Sequence, residues 1–228
     1  MKYAVEPSRV PSVLIEGDDT VFPVHRIYCV GRNYAAHAIE MGGDPNKEPP
    51  FFFQKNPDNL VTEEGDFPYP EKSSDVHHEI ELVVALKSGG DNIPLPNALD
   101  LVLGYAVGLD MTRRDLQAEC KELGRPWEVA KAFERSAPIS KITPASRCGH
   151  PKQGAIWLRV DGKIRQEGDI SQLIWKVPEI IAFLSGYFTL KAGDLIMTGT
   201  PSGVGPVARG NVLNGHIQGI GEVRTRVV

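Results

Sequence analysis

Glycine and proline interrupt this chain so often, with 23 and 18 in 228 residues, that few segments are long enough for a helix of ordinary length. Glycine weakens a helix or strand through entropy and proline through its missing N–H, so the pattern dictates many short strands joined by turns. "IYCVG", "PFFFQK", "HHEIELVVAL" and "LVLGYAVGLDM" read as strands, and "GAIWLRVDGKIRQEG" as a hairpin turning at Asp161 and Gly162. "DLIMTGTPSGVG" and "NGHIQGIGEVRTRVV" close the chain with strands and glycine turns. Thr112 opens a helix through "RRDLQAECKELG", with Leu116, Cys120 and Leu123 as its buried stripe, and "KVPEIIAFLSGY" is a helix with Pro178 in its first turn. Asn33 is positioned to cap a further helix through "YAAHAIEM". The expected class is a β-rich α+β fold.

The length suits one large domain with a short appendage. Residues 1–24 read as a small strand-turn-strand arm, "KYAVEP" then "SVLIEGDDTVFPV", and residues 25–228 as the main domain. No apolar run approaches the roughly 20 residues that span a bilayer, which argues against a membrane protein. The net charge of −4, with both signs scattered, leaves no footprint for a nucleic-acid backbone. Cys29, Cys120 and Cys148 are odd in number and lack CxxC spacing, so neither a disulfide framework nor a zinc site is expected, and a reducing cytoplasm fits.

Against this background the segment "HHEIELVVAL" is anomalous. In an extended strand Glu79 and Glu81 project from one face about 7 Å apart along the backbone, with Ile80 and Leu82 opposite. The pair is either a solvated acidic edge or an enclosed site. If enclosed, two carboxylates repel, so one takes up a proton or a cation sits between them. Asp110 ends an apolar strand, where an acid either emerges into solvent or reaches a site at the strand's end. Three carboxylates without a thiolate make a hard oxygen site suited to Mg²⁺, Mn²⁺ or Ca²⁺. His77 and His78 point oppositely and read as structural. On the following helix Arg114 and Gln117 share a face. "GTPSGVG" lacks the GK[ST] ending of a phosphate-binding loop.

Five segments together, "YCVGRNYAAHAIEMG", "HHEIELVVAL", "GYAVGLDMTRRDLQ", "KAFERSAPIS" and "GDLIMTGTPSGVG", resemble the fumarylacetoacetate hydrolase family, and within it the short bacterial acylpyruvate and fumarylpyruvate hydrolases. The resemblance runs from Arg26 to the end and implies a mixed β-roll, usually a homodimer. It implies that Glu79, Glu81 and Asp110 are divalent metal ligands for Mg²⁺ or Mn²⁺, with Ca²⁺ also accommodated. It further implies His37 and Glu40 as a catalytic pair, Lys131 beside the reacting carbonyl, and Arg114, Gln117 and Thr200 as contacts of the substrate.

The activity so implied is hydrolysis of the carbon-carbon bond of a 2,4-diketo acid, with fumarylpyruvate the preferred substrate, in aromatic catabolism. Two rivals stand beside it. One is an oxaloacetate decarboxylase or diene-dioate isomerase using the same metal site. The other is a noncatalytic keto-acid binding protein. For the acyl group's distal carboxylate, Arg32 and Lys55 are the candidate cations.

Overall fold

The apolar run after Glu79 forms the strand Ile80–Leu86, every residue of it buried. A run with both faces covered suits an interior strand, and this one is third of six in the largest sheet. The computed structural model describes residues 3–36, 49–62 and 65–228. In that sheet the order is Thr143–Pro144, Val102–Leu109, Ile80–Leu86, Asp194–Met197, Arg26–Gly31 and Phe51–Lys55. Only the Asp194–Met197 and Arg26–Gly31 pair within it is parallel, which makes the sheet mixed.

A second, antiparallel sheet of four strands runs Lys163–Asp169, Ala155–Val160, Val212–Ile217, Gly221–Arg226. Its first two strands form the expected hairpin, with Asp161 at φ 50° and Gly162 at φ 77°, the left-handed pair that a tight hairpin turn demands. The main core lies between the two sheets. Ile80, Leu82, Val84 and Leu86 meet Ile156, Leu158, Leu213 and Ile217 there. The alternate residues Val83 and Ala85 face a second cluster with Val13, Phe22, Ile27, Leu195 and Met197. Thus period-two alternation on one strand feeds two cores, as the β-rich α+β expectation requires. Among the described residues no helix is long and apolar enough to cross a membrane.

Several local expectations are corrected. "HHEIELVVAL" is two strands, because Glu79 separates Val76–His78 from Ile80–Leu86 and the first piece pairs instead with Thr112–Arg113 and Gly205–Pro206. Thr112 accordingly lies in a strand, and the helix begins at Arg114 and runs to Glu122. Its buried residues are Gln117 and Cys120, whereas Leu123 is 51% exposed. The helix packs a polar site rather than an apolar core, so hydrophobic spacing misassigned its inner face. Asn33 is wholly buried, and its side chain ties loops together: Nδ2 donates to the carbonyls of Trp175 and Thr198, and Oδ1 accepts from the Trp175 N–H. At the amino terminus Ser12–Leu14 pairs with Val21–Pro23, while residues 3–7 form no strand. The helix Val177–Leu184 has Pro178 in its first turn, as expected.

Candidate metal centre and its pocket

Antiparallel register brings the three carboxylates to one edge of the large sheet. Ile80 pairs with Leu109 and Glu81 with Gly108, so the start of one strand abuts the end of the next. Asp110 follows immediately, its N–H donating to the Glu79 carbonyl at 2.8 Å. The neighbouring strand Asp194–Met197 ends at the same edge, and beyond it the Gly199 N–H donates to Glu81 Oε2 at 2.7 Å. Gly199 has φ 100°, and a Cβ there would come within 2.8 Å of Asn33 Cβ, so glycine is required for this approach. Glu79, Glu81 and Asp110 are all buried, and one oxygen from each lies within 4.8 Å of the others.

Three buried acids demand compensating charge, and two lysines supply part of it. Lys131 Nζ donates to Glu79 Oε2 at 2.9 Å, to Asp110 Oδ2 at 2.7 Å and to Thr112 Oγ1 at 2.6 Å. Lys55 directs its donors to the carbonyls of Met111 and Lys131 and to the Ser136 hydroxyl. Its Nζ also lies 2.9 Å from Asp110 Oδ1, yet that oxygen receives no aligned hydrogen bond. The Arg114 guanidinium pairs with Glu79 Oε1 and donates to Gln117 Oε1 at 2.6 Å. Three buried carboxylates with no thiolate among them, one oxygen of each within 4.8 Å of the others, fit an oxygen-seeking divalent cation. Glu79, Glu81 and Asp110 can therefore coordinate such an ion.

Burial, then the charges of Asp110 and Glu79, push the Glu81 carboxyl well above its ordinary range. Burial would lower the Lys131 ammonium, but Asp110 and Glu79 outweigh it and the net shift is upward, so Lys131 stays cationic. Because the folded, metal-free protein holds on Glu81 a proton that the unfolded chain has already lost, its stability falls as pH rises from the ordinary carboxylate range toward Glu81's raised value. A metal binds the deprotonated carboxylate and displaces that proton. Titration calorimetry with Mn²⁺ at a pH just above the ordinary carboxylate range, in buffers of different ionisation enthalpy, is expected to show proton release; heats independent of buffer would refute it.

Of the residues singled out from sequence, Arg32, Glu79, Glu81, Asp110, Arg114, Gln117, Lys131 and Thr200 line one pocket. His37 and Glu40 lie outside the described residues. His77 bonds Asp75 at 2.9 Å and His78 bonds Gln166 at 2.9 Å, in keeping with structural roles. Lys55 is corrected: its side chain is fully enclosed against Asp110 and is not among the pocket-lining residues. Gln166 was not anticipated. Buried on the hairpin, it accepts from the Ile80 N–H at 3.1 Å and donates to Thr200 Oγ1 at 2.8 Å and to the Pro201 carbonyl at 2.9 Å. Its signal was a polar residue at an inward position of a hairpin strand. Phe51, Phe53, Lys121 and Trp127, also unanticipated, line the pocket too.

Comparison with known proteins agrees with this architecture. The family model "Fumarylacetoacetate (FAA) hydrolase C-terminal" matches residues 26–228. A crystal structure of fumarylpyruvate hydrolase from Pseudomonas aeruginosa, in complex with Mn²⁺ and pyruvate, is 54% identical and superposes with a TM-score of 0.97, covering 100% of this chain and 99% of that one. The mitochondrial oxaloacetate tautomerase of Mus musculus is 43% identical over 88% of this chain and 90% of its own length. The mitochondrial oxaloacetate decarboxylase of Dictyostelium discoideum is 43% identical over 86% of this chain and 89% of its own. With a family model spanning nearly the whole chain over a β-rich fold whose sheet edge gathers three acids, this protein belongs to the fumarylacetoacetate hydrolase family.

Proposed function

We propose that the protein hydrolyses the carbon-carbon bond of a 2,4-diketo acid, with fumarylpyruvate as substrate and fumarate and pyruvate as products, and that it works as a homodimer. The observation that carries this is the buried Glu79, Glu81 and Asp110 cluster facing Lys131, Arg114 and Gln117 in one pocket. The likeness to the Pseudomonas aeruginosa enzyme supports the choice of acyl group. Glu79, Glu81 and Asp110 would hold Mg²⁺ or Mn²⁺. When bound, that ion would supply Lewis acidity where negative charge gathers on the departing pyruvate unit, worth several kcal/mol in such sites.

The chain's own residues do the rest. Arg114 and Gln117, held together by their mutual hydrogen bond, bind the carboxylate end of the substrate. Thr200 Oγ1 accepts from Gln166, which leaves its hydroxyl proton to donate to a substrate oxygen. Lys131, cationic and enclosed, stabilises the oxyanion that develops at the reacting carbonyl or protonates the leaving enolate. His37, oriented by Glu40, removes a proton from the attacking water, a contribution of about 10²- to 10⁴-fold in such reactions.

A second reading, conversion of oxaloacetate by decarboxylation or tautomerisation, is favoured by the relatives carrying those names. It uses the same pocket, and decarboxylation in particular needs no water activation. Specificity constants for fumarylpyruvate, acetylpyruvate and oxaloacetate, measured with Mn²⁺ and with Mg²⁺, separate the two. We expect fumarylpyruvate to rank highest, chelation to abolish turnover and added metal to restore it. Replacing His37 by Ala should then remove hydrolysis while leaving oxaloacetate decarboxylation comparatively intact. A higher constant for oxaloacetate installs the second reading, and no turnover of any of the three leaves a keto-acid binding protein.

A further inference from the structure

The helix that carries Arg114 and Gln117 presents Lys121 on the same face, one turn further on, since positions i, i+3 and i+7 align on an α-helix. Seven residues at 1.5 Å each place its backbone about 10 Å beyond Arg114 along the helix axis. Its side chain lines the same pocket as the carboxylates. Among the described residues its ammonium has no ion pair or hydrogen bond; it lies 5.4 Å from the centre of the Trp127 ring. Trp127 in turn meets Phe51 edge-on at 5.3 Å and Phe53 at 5.9 Å. The pocket thus grades from a carboxylate cluster, past an aromatic wall, to a half-buried cation. Burial, with Arg114 and Arg32 nearby, holds the Lys121 ammonium down to about 8, so it sits among like charges in a place where an anion would be welcome.

We propose that Lys121 is the specificity-determining residue that receives the distal carboxylate of the acyl group, with Phe51, Phe53 and Trp127 bounding its flat unsaturated chain. This rests on the diketo-acid reading above, in which the metal and Arg114 take the pyruvate end. A salt-bridged carboxylate would neutralise the Lys121 ammonium, and the ring beneath it restricts the ammonium's freedom before substrate arrives. Acyl groups without a carboxylate would leave that ammonium unpaired, and discrimination by an unpaired buried charge is stronger than by a missing apolar contact.

The test compares the Mn²⁺-loaded wild type with Lys121→Met and Lys121→Arg, taking kcat/KM for fumarylpyruvate and for acetylpyruvate. Lys121→Met is expected to lower the fumarylpyruvate-to-acetylpyruvate ratio at least tenfold, mainly through KM for the diacid, and Lys121→Arg to restore most of it. An unchanged ratio, including equal losses on both substrates, overturns the assignment. If the wild type turns over neither diketo acid, the functional reading fails separately. The subsite is then judged by titrating fumarate into pyruvate-saturated, Mn²⁺-loaded protein: about tenfold weaker fumarate binding by Lys121→Met supports it, and equal binding overturns it.

Discussion

Replacing Lys55 by Met is expected to destabilise the protein by about 3–5 kcal/mol, although nothing places this residue against substrate. Its side chain is completely buried, as is that of Asp110, whose Oδ1 lies 2.9 Å from Nζ. Methionine fills a similar volume but leaves Asp110 with only the Lys131 ammonium, 2.7 Å from Oδ2, to balance its charge. It also removes the Lys55 donor from the Met111 carbonyl, while the Lys131 carbonyl keeps the Ser136 hydroxyl at 3.1 Å. Chemical unfolding with and without Mn²⁺ measures the loss. Because the uncompensated charge is the cause, the double variant Lys55→Met with Asp110→Asn should be destabilised by less than the sum of the two single changes. Additive effects, or a loss below about 1 kcal/mol, would show that the lysine matters only as packing.

Glu81→Gln is expected to have the larger functional effect and the smaller structural one. Changing only a partner of a metal ligand typically costs 10- to 100-fold in affinity, so removing a charged ligand should cost more than about 100-fold. The fold should tolerate it. The amide oxygen can still accept the Gly199 N–H that now lies 2.7 Å from Oε2, and the amide is neutral at every pH, as the protonated Glu81 of the metal-free protein is, so it adds no charge beside Asp110 and Glu79. We therefore expect the metal-free variant to melt no lower than the metal-free wild type, while Mn²⁺ no longer raises its melting temperature. Activity at saturating wild-type metal concentrations should be lost. Unchanged Mn²⁺ affinity in equilibrium titration would remove Glu81 from the ligand set and with it the centre of the functional reading.

The two predictions separate roles that a single stretch of sequence blurs together. Arg32 and Lys55 both looked like cations waiting for a substrate. The fold instead drives Lys55 from the strand Phe51–Lys55 into the wall behind Asp110, where it balances charge. Arg32 lines the pocket, and Lys121, at the end of a helix read as having an apolar stripe, also faces it and has no acidic partner among the described residues.

What the amino-acid sequence determined by itself is what short-range geometry carries. Two-residue periodicity puts Glu79 and Glu81 on one side, three-residue helical spacing pairs Arg114 with Gln117, and Asp161-Gly162 makes its turn because those residues tolerate positive φ. The sequence pattern also carried the resemblance to the family across Arg26 to Val228. Only the tertiary structure decided that the acids are enclosed, because enclosure depends on which strand lies beside which. Glu81 faces Gly108 across a register that no local pattern states, and this is what delivers Asp110 to Glu79. Lys55, Gln166 and Lys121 come to the region of the site from a strand of the large sheet, a strand of the hairpin and the helix Arg114–Glu122. Charge and hydrogen-bonding needs were readable residue by residue, but their partners were not, since pairing across long sequence separation is set by the packing of whole sheets.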